Sequence, residues 1–267
     1  MRDPHVEILR YRLETASNIT YDNPLPVDID HDEFSGRLET GILTCHMKKH
    51  YESIDAAHKV VTWYLRAWEM DAALKFGPGE IRFVYEDAQV IDRNPPPPDA
   101  PLEIQVSEGF LTMEGSVVTL RVTRREYPKP PMIFRVSPDV ETLWQRYQMY
   151  LDGKDRLLSM AYFCLSLLEL IAGGSPASRS GQSKRRRAAS NMFSIEYDVL
   201  NQLGELTSAR GDRLTARKAQ TTPIPLSEKE RQWIEVTIKQ VIRRIGEYNC
   251  GLTLPTIRMT DLPPLLP

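Results

Sequence analysis

At Ser137 the hydrophobic period of the chain changes, and no single regular architecture satisfies both sides of that change. Before it, short β-branched and aromatic runs such as "VEILRYRL" (6–13), "RLETGILTCHM" (37–47), "EIRFVYEDAQVI" (80–91), "LEIQV" (102–106), "FLTMEGSVVTLRVTR" (110–124) and "MIFRV" (132–136) alternate in polarity between Gly, Pro, Asn and Asp punctuation. After it, apolar residues recur at helical spacing. A strand-rich segment followed by a helical one predicts an α+β chain, with an antiparallel sheet first and an all-α bundle second.

One helix interrupts the strands. Ser53 is a candidate N-cap, Ala57, Val60, Val61, Tyr64, Leu65, Trp68 and Ala72 make a single apolar stripe, and "GPG" at 77–79 stops it. This predicts a helix near 54–75 packed on one face of the sheet. "MEGS" reads as a hairpin turn, and "NPPPP" (94–98) as a stiff extended connector, because each proline fixes φ and disfavours helix in the residue before it. The second segment opens with a capping Ser137, Pro138 at the first helical position and acidic residues in the first turn. "KDRLLSMAYFCLSLLELI" (154–171) is apolar nearly all round and belongs at the centre of a bundle. Residues 191–209 continue helically, and Ser227 with Glu230 forms a capping box ahead of the stripe Trp233, Ile234, Ile238, Val241, Ile242 and Ile245. The expected organisation is a strand-rich domain over 1–136, a four-helix bundle over 137–250 with a flexible basic loop at 173–190, and a Pro-rich tail over 251–267 lying extended across the body.

With 41% apolar and 26% charged residues the composition excludes disordered and membrane classes. The longest apolar run falls short of the roughly 20 residues a membrane span needs and carries Glu169. The N-terminus lacks a secretory n-region and h-region, and the three cysteines, Cys45, Cys164 and Cys250, share no metal-ligand spacing. A soluble protein of the reducing cytoplasm is expected, with no membrane partner.

Charge is unevenly divided. Residues 1–150 hold 17 basic and 24 acidic groups and the remainder 17 basic and 12 acidic, so the two parts face different partners or each other. The loop at 173–190 carries five cations and no anion, four of them consecutive at Lys184, Arg185, Arg186 and Arg187. Such a run attracts phosphates through counterion release without reading sequence. A second basic stretch, "SARGDRLTARKAQ" (208–220), holds Arg210, Arg213, Arg217 and Lys218. These eight residues are the candidate nucleic-acid contacts.

Other motifs are weaker. "DIDHDEFSGRLE" (28–39) places Asp28, Asp30, Asp32 and Glu39 at the first, third, fifth and twelfth positions of a calcium loop. Its sixth position, where the turn needs Gly, is Glu33, so a solvated acidic loop is expected. His46 and His50 are aligned four apart, but only a third ligand such as His31 or His58 would make a metal site. No phosphate-cradling Gly loop, nucleophile elbow or zincin motif is present. Neither a catalytic residue nor a metal or other cofactor is therefore assigned.

An apolar helix, a basic insert, another helix and an Arg-containing turn before a final amphipathic helix resemble the HEPN superfamily of helical bundles, over at most residues 138–248. The resemblance implies RNA binding or cleavage, with an Arg followed by a four-to-six-residue gap and a His. Here Arg210 is followed by six residues and then Arg217, so the group that would act as general acid or base is missing. The expected function is a non-catalytic binding protein presenting a basic helical face to nucleic acid, RNA before DNA, or to an acidic protein. The alternatives are a structural or assembly subunit, which would include a homo-oligomer, and a degenerate HEPN-like ribonuclease.

Overall fold

The computed structural model describes residues 3–94, 122–173, 182–211 and 224–265. The expected strands at 102–106 and 110–121, the "MEGS" turn and the prolines from Pro95 onward lie outside them. The fold is α+β, and the chain divides into two compact units, Met1–Pro131 and Met132–Pro267.

In the first unit β1 (Pro4–Glu14), β2 (Ile19–Leu25), β3 (Val27–Asp30), β4 (Phe34–Glu39) and β5 (Ile42–Met47) precede α1 (Ile54–Phe76), which is followed by β6 (Arg82–Asp92) and β7 (Val122–Glu126). Five strands form one antiparallel sheet in the order β3-β4-β5-β1-β6. Period-2 alternation selects its buried face: Phe34 and Leu38 from β4, Leu43, Cys45 and Met47 from β5. On β1 a register shift between Val6 and Ile8 changes the parity, so that Val6 and then Leu9 and Tyr11 point inward. The α1 stripe Ala57, Val61, Leu65, Trp68 and Ala72 completes this core. Trp68, fully buried, donates from Nε1 to the Pro128 carbonyl at 2.9 Å, so its one polar atom is satisfied.

Three features depart from the sequence expectations. "RLETGILTCHM" is two strands rather than one, because Thr40 and Gly41 both take positive φ (49° and 79°) and close a two-residue hairpin. The stretch read as an acidic loop is the β3-β4 hairpin, paired Val27 to Leu38 through Asp30 to Ser35. β2 and β7, far apart in sequence, pair in parallel as a separate two-stranded sheet.

In the second unit the helices are α2 (Pro138–Leu151), α3 (Leu157–Ile171), α4 (Gln182–Phe193), α5 (Tyr197–Ala209) and α6 (Glu228–Tyr248). Ser137 caps α2 through Val140 N, and Ser227 and Glu230 form the reciprocal capping box on α6. Two expectations fail here. "MIFRV" is not a strand: it follows Pro130 and Pro131, and Phe134 is instead buried against Gly246 of α6, with Arg135 N bonded to the Gly246 carbonyl at 3.0 Å. From Gln182 onward the basic loop is helix, which adds a fifth helix to the expected four. The C-terminal segment is held in place: Ile257 and Leu262 are buried, and Arg244 donates to the Pro255 carbonyl at 2.6 Å.

Two stability predictions follow from this packing. A Cβ at Gly246 would overlap the Phe134 ring. Gly246→Ala, which in an open helix gains about 1 kcal/mol of propensity, is expected here to cost about 1 to 3 kcal/mol, and chemical denaturation gives the sign. His5, 2% exposed, accepts weakly from Tyr51 N at 3.4 Å and stacks on His50 with ring centroids 5.3 Å apart. Desolvation, then the charges of Arg93 and His50, hold its pKa below the ordinary imidazole value. The unfolded chain therefore takes up the proton first, and stability is constant above about pH 6.5 and falls as pH drops through that value. His5→Gln is expected to flatten the acid limb of stability against pH, measured by urea unfolding from about pH 8 to about pH 5.5.

Candidate functional site

Four consecutive cations on a helix cannot share a face, since each residue turns by about 100°. The structure divides them accordingly. Arg186, Ala189 and Phe193, three and seven residues apart, form the buried face of α4. The Arg186 guanidinium, 7% exposed, donates from Nε to Glu169 Oε1 of α3 at 3.0 Å and from one terminal nitrogen to Asn201 Oδ1 of α5 at 3.0 Å. It lies directly on Gly204 of α5, where a Cβ would collide with it. Arg185 is the second cation against Glu169, at 3.7 Å. Lys184 and Arg187 are exposed, the latter with its guanidinium 5.7 Å from the centre of the Tyr197 ring.

Arg210 follows α5 and donates from Nε to Glu230 Oε1 at 2.7 Å. Burial alone would raise the Glu230 carboxyl, but hydrogen bonds from the Ser227 backbone and from Arg210 outweigh it and hold the group below its ordinary value. The pair lines a cleft of about 790 Å³ with Ile224, Ser227 and Met259. Arg213, Arg217 and Lys218 lie outside the described residues. The expected contact residues that are described differ in their surroundings. Arg186 is an interior ion-pair member, Arg210 is neutralised by Glu230, and the solvent-facing cations among the described candidates are Lys184 and Arg187.

The acidic hairpin is likewise matched to cations: Arg37 pairs with Asp28 at 2.8 Å and Glu39 at 3.2 Å, Lys48 with Asp30, and Lys49 with Glu33 at 2.5 Å. His31 stacks on Phe34, His50 on His5, and His58 bonds Tyr11. Among the described residues no group of three or more His, Cys, Asp or Glu is placed to hold a metal ion. No helix among them is long and apolar enough to cross a membrane.

A cationic cleft that sequence reasoning missed lies in the first unit. About 540 Å³ in volume, it is lined by Lys75 and Phe76 at the end of α1, Glu80, and Arg124, Arg125, the exposed carboxylate Glu126 and Lys129 on and after β7. Glu80, buried, is gripped by both Arg124 nitrogens at 3.0 and 3.1 Å and by the Tyr21 hydroxyl at 3.0 Å. Arg124 also lies over the Phe76 ring, 5.4 Å from its centroid. Phe76 keeps half its surface in water because Gly77, at φ 117°, ends the helix immediately after it. Arg125 and Lys129 are exposed and make no ion pair with any described residue. The signal for this site was "RVTRREYPK" (121–129), four cations in nine residues. Its aromatic component, Phe76, sits far away in sequence and joins only on folding.

Comparison with protein-family models, with curated proteins and with solved structures finds no match.

The Arg186 arrangement predicts a non-additive double-mutant cycle. Glu169→Gln leaves a buried guanidinium without its counter-charge and is expected to cost about 3 to 5 kcal/mol, as is Arg186→Met, whereas the double variant should cost clearly less than their sum. Denaturant midpoints of the four proteins measure the coupling.

Proposed function

We propose that this chain is a non-catalytic binding protein for single-stranded nucleic acid, with RNA the first ligand to test. The observation that carries this reading is the cleft beside α1, where cations with no carboxylate partner among the described residues, Arg125 and Lys129, adjoin the half-exposed Phe76 ring. Cations that follow a phosphodiester backbone beside an aromatic face on which bases stack are the two components of sequence-tolerant single-strand binding. The surroundings reinforce it. Residues 1–150 carry seven more acidic than basic groups, so a locally cationic cleft is the place to which that part of the chain directs a polyanion. On the helical unit, Arg187 over Tyr197 repeats the same pairing of cation and ring and, with the exposed Lys184, supplies a second contact.

Binding is expected to weaken steeply with salt, the slope of log affinity against log salt falling by about 0.7 for each phosphate contact removed. Arg125→Glu and Lys129→Glu should each lower that slope. Phe76→Ala should weaken binding about tenfold with the slope unchanged. Fluorescence anisotropy with labelled oligouridylate and oligothymidylate measures both. Loss confined to Lys184→Glu and Arg187→Glu would move the contact to the helical unit, and no salt-dependent binding of any oligonucleotide would end the reading.

A further inference from the structure

Beside α1, along β6 at the edge of its sheet, the first unit holds a second concave site, a groove of about 400 Å³ that shares no residue with the cationic cleft. Its size is that of a small-molecule site. Residues 58, 62, 65, 66 and 69 are spaced to fall along one side of the helix, and together with residues 82–85 of β6 they line the groove. Its apolar part comes from Leu65, Phe83 and Val84.

The polar groups are held in place from behind. Tyr11 is 1% exposed, and burial raises its phenol far above the ordinary value, so it keeps its proton. Thr62 hydrogen-bonds to the phenol oxygen, and the phenol meets His58 Nδ1 at 2.9 Å. That bond engages Nδ1 and leaves Nε2 as the His58 ring nitrogen not held by Tyr11. Glu69 Oε1 accepts from Phe83 N at 2.7 Å, and its other oxygen lies 3.7 Å from Arg66. Burial raises the Glu69 carboxyl, against the opposing effects of the Phe83 bond, Arg66 and Arg82. Arg82 is exposed, and the half-exposed Tyr85 ring meets His58 edge-on at 5.2 Å.

We propose that this groove binds a nucleoside monophosphate. A flat heterocycle stacks on Tyr85 within hydrogen-bonding reach of the His58 ring, the phosphate is taken by the Arg66 and Arg82 guanidiniums, and the Glu69 carboxylate accepts the sugar hydroxyls. Each part of such a ligand meets a group of matching chemistry: ring to ring, phosphate to paired guanidiniums, hydroxyl donors to an acceptor-only carboxylate. A bare phosphate leaves Tyr85 and His58 unused, and an uncharged nucleoside leaves both arginines unused. The site is independent of the nucleic-acid reading.

Isothermal titration of the full chain with AMP, UMP, adenosine and ribose 5-phosphate tests it. AMP or UMP is expected to bind saturably, with adenosine and ribose 5-phosphate each about tenfold weaker or more. Arg82→Ala should weaken AMP about tenfold and leave adenosine unchanged, and Tyr85→Leu should weaken AMP while leaving ribose 5-phosphate unchanged. Both side chains are exposed outside the core, and an unaltered melting temperature confirms that each variant folds. Arg125→Glu, in the other cleft, should leave AMP binding intact. Absence of saturable AMP and UMP binding at millimolar concentration, equal affinity for ribose 5-phosphate, or affinity unaffected by Arg82→Ala and Tyr85→Leu overturns the proposal.

Discussion

A guanidinium inside a helical unit must bring its counter-charge with it, and in the second half of this chain Arg186 and Glu169 meet that requirement. Their 3.0 Å contact, with Asn201 on the other side of the guanidinium and Gly204 beneath it, draws α3, α4 and α5 to one point. The arrangement specifies more than it stabilises, because an interior ion pair gives back much of its attraction in lost hydration. Its geometric demand is strict all the same. A residue larger than Gly at 204 fills the space the guanidinium occupies, and a one-residue shift of α4 would bring Arg185 or Arg187 inward in place of Arg186. The same demand explains why a segment of Ser, Arg and Lys becomes a helix. Ala189 and Phe193 supply the apolar remainder of its inner face, and Glu169 supplies the charge.

In the first unit α1 has the corresponding role and also sets up both concave sites. One face of the helix covers the sheet through Ala57, Val61, Leu65, Trp68 and Ala72. Its flank presents His58, Arg66 and Glu69 to the groove, and its last turn presents Lys75 and Phe76 to the cleft. The two sites are therefore positioned by one rigid element, and each is closed by a strand that reaches it later in the chain, β6 for the groove and β7 for the cleft. The Trp68 bond to the Pro128 carbonyl and the Glu80 bonds to Arg124 anchor the segment after β7 to the end of that helix. Without those two links Arg125 and Lys129 would have no fixed place beside Phe76.

What could be read from the sequence was local. The Ser53, Ser137 and Ser227 caps, the Gly77 stop, the alternation of β5 and the stripes of α1 and α6 each depend on residues within a few positions of one another, and all are present. What could not be read depended on distant partners. The helix α4 was taken for a loop because its composition alone gives no reason to order; its inner charge is answered by a carboxylate 17 residues upstream. The parallel pairing of Ile19 with Val122 has no signature at short range. The cleft joins residues on either side of β6, and the groove joins Tyr11 to His58 across 47 positions. "MIFRV" had a strand's composition, yet the prolines before it and the space over Gly246 gave Phe134 a different place.

A count of cations also overstates the positive charge that faces solvent, for a reason that Coulomb's law makes plain. A guanidinium 3 Å from a carboxylate presents a dipole to anything beyond it, and at physiological ionic strength screening over about 8 Å removes most of what remains. Arg124, Arg186 and Arg210 are therefore electrostatically spent on Glu80, Glu169 and Glu230, even though they belong to the densest basic stretches of the chain. In those stretches the exposed cations with no answering carboxylate among the described residues are Lys184 and Arg187 on α4 and Arg125 and Lys129 beside the cleft. Arg124 gives the cleft its shape by tethering Glu80 and covering Phe76, while its neighbour Arg125 retains the charge. Adjacent arginines on one strand are divided between an interior ion pair and the solvent by the alternation of the strand itself, as the four consecutive cations of α4 are divided by the turn of a helix.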